Sequence, residues 1–150
     1  MLFLTHLLFG MLASLVFTDY FPYERLAFVP IAAFFAVFPD IDTMKSKISR
    51  RLPVFGFVSW LLFGHRGLFH SLLFPAMAYI LVLPFSDLAA TAIALGYISH
   101  LAADALTPKG IAFFYPIPVK VKGPIKTGSL LEKLLAFLLL IALVVYYLSA

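Results

Sequence analysis

Seven residues that could bind a metal ion are distributed through a chain that is otherwise strongly apolar. They are the four histidines and three of the seven acidic residues, namely His6, His65, His70, His100, Asp40, Asp42 and Asp104. Imidazole nitrogens and carboxylate oxygens bind Zn²⁺, Mn²⁺ and Fe²⁺. Because the sequence contains no cysteine, thiolate ligands and disulfides are excluded. The chemistry open to this set is metal binding, including metal-assisted hydrolysis.

Two pairs of candidate ligands are spaced so that both members of a pair could bind the same metal site. His100 and Asp104 in SHLAAD are four residues apart, so a helix would place them on one face. Asp40 and Asp42 in FPDID follow Pro39, which is expected to end a helix. In the turn that follows, two carboxylates at this spacing can reach one cation or two adjacent cations.

The stretch GHRGLFHS, residues 64–71, contributes two further histidines and an arginine. His65 and His70 are five residues apart, which fits a single helix face poorly. Gly67 indicates a turn, with His65 before the next helix and His70 on its first turn. Arg66 and the helix N-terminus would then add positive potential, which favours an anionic substrate such as phosphate.

The composition places the whole chain in a membrane. Of its 150 residues, 63% are hydrophobic and 12% are charged, whereas a soluble domain is about half apolar and about a quarter charged. Residues 1–150 are predicted to form a single membrane-embedded domain. The net charge of +4 is interpreted as a topology signal, and no nucleic-acid partner is expected.

Hydropathy predicts an all-α integral membrane protein, a bundle of about five transmembrane helices. The predicted spans are Leu2–Phe17, Leu26–Phe38, Leu68–Pro84, Leu88–Leu106 and Leu130–Leu148. The apolar segment Val54–Phe63 is only about half a span long, which predicts a short interfacial or re-entrant helix. Thr107–Gly128 contains four prolines and is predicted to be a loop without a regular helix.

The basic residues orient this bundle. With the N-terminus in the cytoplasm, ten of the eleven lysines and arginines fall on the inner side, and only Arg25 falls outside. The run Lys45–Arg51 is predicted to contact anionic lipid. This topology requires that residues 53–64 do not cross the membrane, and it places all seven candidate ligands in one layer near the cytoplasmic interface.

Each of these residues also has a simpler interpretation. His6 alone would be a packing or hydrogen-bonding residue, and Asp40 with Asp42 could be solvated helix-end carboxylates. His100 and Asp104 could be a hydrogen-bonded pair between helices. Their convergence in one layer nevertheless favours a metal site, because ionisable residues in a membrane are costly and usually face an interior or watery cavity.

FPDID, GHRGLFHS and SHLAADALTPKG, in this order and after an early Thr-His, resemble the YdjM-type membrane-bound, metal-dependent hydrolase family. The resemblance extends from His6 to Pro116. It implies a metal-dependent hydrolase of the bacterial or archaeal inner (cytoplasmic) membrane. The metal ligands that it implies are Asp40, Asp42, His65, His70, His100 and Asp104, with His6 as a further ligand.

Seven ligands exceed the needs of one tetrahedral ion, so one or two ions are expected, most simply Zn²⁺, with Mn²⁺ and Fe²⁺ as alternatives. A metal-activated water would attack an ester or phosphoester, with Asp42 as general base and Arg66 stabilising negative charge. Ser71 and Lys109 are candidate substrate contacts, although a helix-start hydroxyl and an interfacial lysine are simpler interpretations. The location predicts a phospholipid or another lipid (phospho)ester as substrate.

Two other function classes remain open. A metal-ion or proton transporter would also place His and Asp in a membrane, but it needs polar residues through the whole bilayer. A non-catalytic scaffold stapled by metal would show saturated coordination with no open position. The sequence disfavours the transporter, because the outer half of the predicted bundle is almost free of polar residues, and it does not separate scaffold from enzyme.

Overall fold

The computed structural model describes residues 1–41, 70–117 and 119–149. Within these ranges the protein is helical, as predicted. The helices are α1 (Phe3–Tyr20), α2 (Arg25–Ile41), α3 (Leu73–Val82), α4 (Asp87–Ala105) and α5 (Leu130–Ser149). Three of them, α1, α4 and α5, are long and apolar enough to cross a membrane. The predicted interfacial segment Val54–Phe63 and the basic run Lys45–Arg51 lie outside the described residues.

Helix α3 is shorter than the predicted span Leu68–Pro84. It has ten residues, which amounts to about 15 Å, or half the thickness of the hydrocarbon layer. Pro75 is its third residue, and proline is tolerated in a first turn because the N–H that it lacks has no helical partner there. A helix that began at Leu68 would place this proline in its interior. His70 lies in a 3₁₀ turn just before α3, and not on the first turn of α3 as predicted.

Helix α2 extends further than predicted. It continues through Pro39 to Ile41, so Asp40 lies on the last helical turn rather than in the turn after the helix. Ala36 and Val37, one turn earlier, are buried against the neighbouring helices. This packing offsets the loss of the one helical hydrogen bond that Pro39, which has no backbone N–H, cannot make.

Helices α1, α2 and α4 approach each other through small residues. A Cβ atom placed on Gly96 of α4 would lie 2.2 Å from the carbonyl oxygen of Ala32 in α2. A Cβ atom on Gly10 of α1 would lie 2.3 Å from the Cβ of Ala36. Small residues at a helix interface permit this close backbone approach, which is typical of membrane bundles.

The same helix faces carry the candidate metal ligands. Residues four apart share a face, and each of three candidate ligands lies four residues from one of the small residues. These pairs are His6 with Gly10, Asp40 with Ala36, and His100 with Gly96. The close packing of the three helices therefore brings the ligand-bearing ends of the three faces together.

Hydrogen bonds fix the other end of the bundle. The guanidinium of Arg25 at the start of α2 donates to Asp19 of α1 at 2.5 Å, and the hydroxyl of Tyr146 in α5 donates to the same carboxylate at 2.5 Å. The hydroxyl of Tyr23 donates to Asp87 at the start of α4 at 2.6 Å. Four helices are thus joined at the end opposite the candidate ligands.

The connection from α4 to α5 contains no α-helix among its described residues, as predicted. Ile111 and Val121 form an isolated antiparallel bridge, with N···O distances of 3.0 and 2.9 Å. Ile111 is buried against Tyr97 and Leu101 of α4. The connection is therefore packed against the end of α4 that carries His100 and Asp104.

Candidate metal centre

Four candidate ligands converge at the end of the bundle where α2 and α4 terminate. Asp40 comes from the last turn of α2, His70 from the turn before α3, and His100 and Asp104 from the last turns of α4. One ligand atom from each residue lies within 4.8 Å of all the others. We call these four residues the His/Asp cluster, which could hold a metal ion.

The burial of this cluster is uneven. His70, His100 and Asp104 are at most 4% exposed, whereas the side chain of Asp40 is 21% exposed. Ionisable groups that are removed from water require charge partners or a coordinated metal. Asp40 is therefore the least enclosed of the four residues.

His6 of α1 lies directly against the His/Asp cluster. Its Nε2 atom is 3.4 Å from Asp40 Oδ2 and 3.4 Å from Asp104 Oδ1. Its ring is stacked on that of His100, with 4.1 Å between the ring centroids, and the residue is buried. His6 is thus placed as a fifth candidate ligand, either of the same ion or of a second, neighbouring ion.

The orientation of His100 is set by a backbone carbonyl. Its Nδ1 atom is 2.9 Å from the carbonyl oxygen of Ala36. A carbonyl oxygen can only accept, so this contact assigns the proton to Nδ1 and leaves a lone pair on Nε2. Metal-binding histidines are held in this way, by donating the second ring N–H to a carbonyl or carboxylate.

The Nε2 atom of His100 provides a test of whether a cation fits here. It is buried without a hydrogen-bond partner among the residues that the structure describes, and it lies 3.9 Å from Asp104 Oδ2. A buried polar atom without a partner is rare and unfavourable. A lone pair and a carboxylate that face each other at this distance would both be satisfied by a cation between them, so the residues fit a metal ion.

The dimensions of the cluster limit how many ions it suits. Ligands about 2.0–2.1 Å from a tetrahedral Zn²⁺ lie about 3.3 Å apart. The observed upper limit of 4.8 Å is wider, which suits one ion after a small contraction, or two ions about 3.5–4 Å apart. Two imidazoles and two carboxylates form a donor set that Zn²⁺, Mn²⁺ and Fe²⁺ accept.

Two polar groups at the start of α1 and of α5 were not identified from the sequence. The α-amino group of Met1 donates to Asp104 Oδ1 at 2.8 Å. Glu132, on the first turn of α5, is fully buried and accepts a hydrogen bond from the backbone N–H of Leu2 at 2.6 Å. A signal for Glu132 was present in the sequence, because Ser129 and Glu132 have the S-x-x-E spacing of a helix capping box.

The remaining predicted site residues fall into two groups. Ser71 is fully buried beside His70 in sequence, and Lys109 is exposed in the connection after α4. The others lie outside the described residues, namely Asp42, His65 and Arg66. Their proposed roles stay predictions.

Apolar helices long enough to cross a bilayer, with a buried His/Asp cluster at one end of their bundle, define an integral membrane protein with a potential metal site. The family model for the YdjM inner membrane protein matches residues 1–150. The chain belongs to this family, as the three motifs and the early Thr-His predicted.

Individual relatives agree with this assignment. The chain is 32% identical to protein YvsG of Bacillus subtilis (strain 168) over 148 residues, which cover 95% of this chain and 92% of YvsG. It is 36% identical to inner membrane protein YdjM of Escherichia coli (strain K12) over 123 residues, or 75% of this chain and 63% of that protein. The matched region therefore spans less than two thirds of the Escherichia coli protein. No solved structure matches the chain.

Proposed function

We propose that this protein is a membrane-embedded, metal-dependent hydrolase that acts on a phospholipid or another lipid (phospho)ester at the cytoplasmic interface. The observation that carries the proposal is the partnerless, buried Nε2 of His100, which faces Asp104 inside a four-ligand cluster. The expected cofactor is one or two divalent transition-metal ions, most simply Zn²⁺. When bound, the metal supplies Lewis acidity and activates water.

The protein's own residues would bind and orient the reacting groups. Ala36 holds the ring of His100 in the ligand orientation, and the partly exposed Asp40 leaves a route for water and substrate. Asp42 follows Asp40 by two residues and is the proposed general base. Arg66 is proposed to bind the anionic group of the substrate and to stabilise the charge that develops there.

The charge distribution supports a cytoplasmic site with the N-terminus inside and all five helices in the membrane. Five exposed lysines lie between the end of α4 and the first turn of α5, namely Lys109, Lys120, Lys122, Lys126 and Lys133. At the opposite end, the described charged residues are Arg25 with Asp19, Glu24 and Asp87. Lysine and arginine accumulate on the cytoplasmic side of membrane proteins. The same lysines favour an anionic substrate.

A non-catalytic metal-stapled scaffold is the second candidate. It is favoured by the near-complete burial of His6, His100 and Asp104, because structural metal sites are closed. In this case the ion would join α1, α2 and α4 and would leave no position for substrate.

Transport is disfavoured by the centre of the bundle. In the described helices, no acidic, basic or histidine residue lies between the two polar ends. The buried hydroxyls of Ser14 and Ser99 donate to carbonyls of their own helices, at 2.8 and 2.6 Å. The described residues therefore offer no chain of ionisable groups along which an ion could cross.

Hydrolysis is tested with zinc-loaded protein in phospholipid nanodiscs, by measuring headgroup release from phosphoester lipids and fatty-acid release from carboxylic-ester lipids. Wild-type protein is expected to turn over one of these classes, and Asp40→Asn to lose at least about 100-fold in rate, because it removes a charged ligand at the open side. Glu24→Gln is the matched control, since Glu24 is an exposed acid at the other end. Stoichiometric metal without turnover of either lipid class would favour the scaffold.

A further inference from the structure

Glu132 is a fully buried carboxylate that the proposed chemistry does not use. Both of its oxygens accept hydrogen bonds. Oε1 accepts from the backbone N–H of Leu2 at 2.6 Å and from the hydroxyl of Thr5 at 3.2 Å. Oε2 accepts from the backbone N–H of Gly128 at 2.5 Å. The side chain therefore joins the first turn of α1 to the first turn of α5.

The location of Glu132 suits a negative charge. The N-terminus of a helix carries partial positive charge and backbone N–H groups without helical partners. Leu2 is the N-cap residue of α1, and its own side chain makes no capping hydrogen bond. Glu132 accepts from the backbone N–H of this N-cap residue and from that of Gly128, so one carboxylate bonds to the N-terminal segments of two helices. A carboxylate placed here is stabilised although it is removed from water.

The anchored turn is the turn that carries His6. Successive residues of an α-helix point about 100° apart around its axis. Thr5 points toward Glu132 in α5, and His6 therefore points toward α2 and α4, where its Nε2 is 3.4 Å from both Asp40 and Asp104. A hydrogen bond that fixes the rotation of Thr5 fixes the direction of His6 as well.

The other hydrogen bonds between α1 and α5, which Tyr146 donates to Leu15 and Asp19, lie at the far end of α1. Nearer the start of α1, the other described contacts between the two helices are apolar. The buried cluster between them consists of Leu8, Leu139 and Leu143, whose contacts are apolar and non-directional. Hydrogen bonds, in contrast, have strict distance and angle requirements. Among the described contacts near the start of α1, those of Glu132 are the directional ones that come from α5.

We infer that Glu132, whose hydrogen bonds in the described part of the chain go to Leu2, Thr5 and Gly128, is a positioning residue that fixes the first turn of α1 so that His6 faces the His/Asp cluster. The inference rests on the proposed metal site and deepens it. Residues that orient metal ligands without binding the metal typically change metal affinity about 10–100-fold when replaced. A residue that only stabilised the fold would change the unfolding temperature and leave the affinity of the folded protein unchanged.

The test compares variants by two measurements on detergent-purified protein. Zinc affinity is measured by competition with a chromophoric chelator, and amide hydrogen exchange of residues 3–8 is measured without metal. Glu132→Ala is expected to raise exchange in this turn and to weaken zinc binding about 10–100-fold. Glu132→Gln keeps one acceptor oxygen, so a smaller change of the same kind is expected. The Glu132→Gln variant also allows the inference to be tested if the alanine variant does not fold.

Ser129→Ala is the matched control. The hydroxyl of Ser129 accepts the backbone N–H of Glu132 at 3.3 Å, so this variant weakens the start of α5 without removing the bonds to Leu2 and Thr5. Its exchange in residues 3–8 and its zinc affinity are expected to match wild type. Equal losses in Ser129→Ala and Glu132→Ala, or no change in Glu132→Ala, would overturn the positioning role.

The two measurements also separate this inference from the proposed function. If wild-type protein binds none of zinc, manganese and iron, the metal-dependent hydrolase is excluded. The exchange measurement, which uses no metal, then still decides whether Glu132 orders the turn that carries His6. A Glu132→Ala variant could show faster exchange in this turn and still bind zinc with wild-type affinity. That result would show that zinc binding does not need an ordered His6, and it would refute the role of Glu132 in positioning His6 for metal.

Discussion

Wild-type protein, purified in detergent without added metal, is expected to contain about one to two transition-metal ions per chain, and Asp104→Asn to contain less than about a tenth of that. Asp104 lies close to one cationic group and two candidate metal ligands. It contacts the α-amino group of Met1 at 2.8 Å and lies 3.4 Å from His6 and 3.9 Å from His100. Asparagine keeps the shape of the side chain but removes its charge. Elemental analysis by mass spectrometry measures the result directly.

Asp87→Asn is the control for this experiment. Asp87 begins α4 and Asp104 lies near its end, so the same chemical change is made at opposite ends of one helix. Asp87 contacts the hydroxyl of Tyr23 and lies far from the cluster in sequence. Metal should remain bound to this variant. Equal metal content in both variants, or none in wild-type protein after exposure to zinc, manganese and iron, would refute the metal centre.

Gly96→Ala is expected to destabilise the bundle and to abolish metal binding, although alanine is the better helix former by about 1 kcal/mol. The added Cβ would lie 2.2 Å from the carbonyl oxygen of Ala32 and 2.9 Å from its carbonyl carbon. These are backbone atoms that cannot rotate away, so α2 and α4 must separate. Overpacking of this kind costs typically about 1–3 kcal/mol, and the separation moves Asp40 and Ala36 away from His100.

Thermal unfolding in detergent and metal content together measure this effect. Val145→Ile is a suitable control, because it adds one methylene group to an exposed residue of α5. The control should unfold at the wild-type temperature and retain its metal. A Gly96→Ala variant that became more stable, as helix propensity alone predicts, would show that the close contact of α2 and α4 is not required.

The layer in which the candidate ligands lie could be predicted because polar residues are expensive in an apolar chain. A histidine or aspartate at the end of a hydrophobic run is expected to face the bundle interior or a watery cavity. The ends of the predicted spans therefore indicated the layer that holds His6, Asp40, His100 and Asp104. Their mutual distances could not be predicted, since they depend on which helix faces meet. The relevant signal was the small residue four positions from each ligand, such as Gly96 before His100.

The boundaries of two helices were predicted less well because hydropathy and proline chemistry gave conflicting signals there. The apolar run Leu68–Pro84 suggested a span, whereas α3 begins at Leu73 and holds Pro75 in its first turn, where proline is best tolerated. At Pro39 the opposite error occurred. The proline indicated a helix end, but tertiary packing of the preceding turn carries α2 to Ile41.

Glu132 escaped prediction for a different reason. An acidic residue in the first turn of a helix is common and is normally exposed, and nothing in the local pattern indicates that α1 will cover it. The contact joins residues 2 and 132, a separation at which a single sequence provides no pairing signal. Only its Ser129 partner, at capping-box spacing, could have indicated a special role.

The Glu132 anchor also has a consequence for biosynthesis. A membrane chain emerges from the ribosome N-terminus first, yet its first turn obtains the acceptor for Leu2 only after residue 132, 130 positions later, has been made. The start of α1 therefore reaches its final hydrogen bonding only after the start of α5 has been synthesised. Nascent chains that stop before α5 would hold His6 without this anchor, and we expect the turn that carries His6 to become ordered only after α5 has been made.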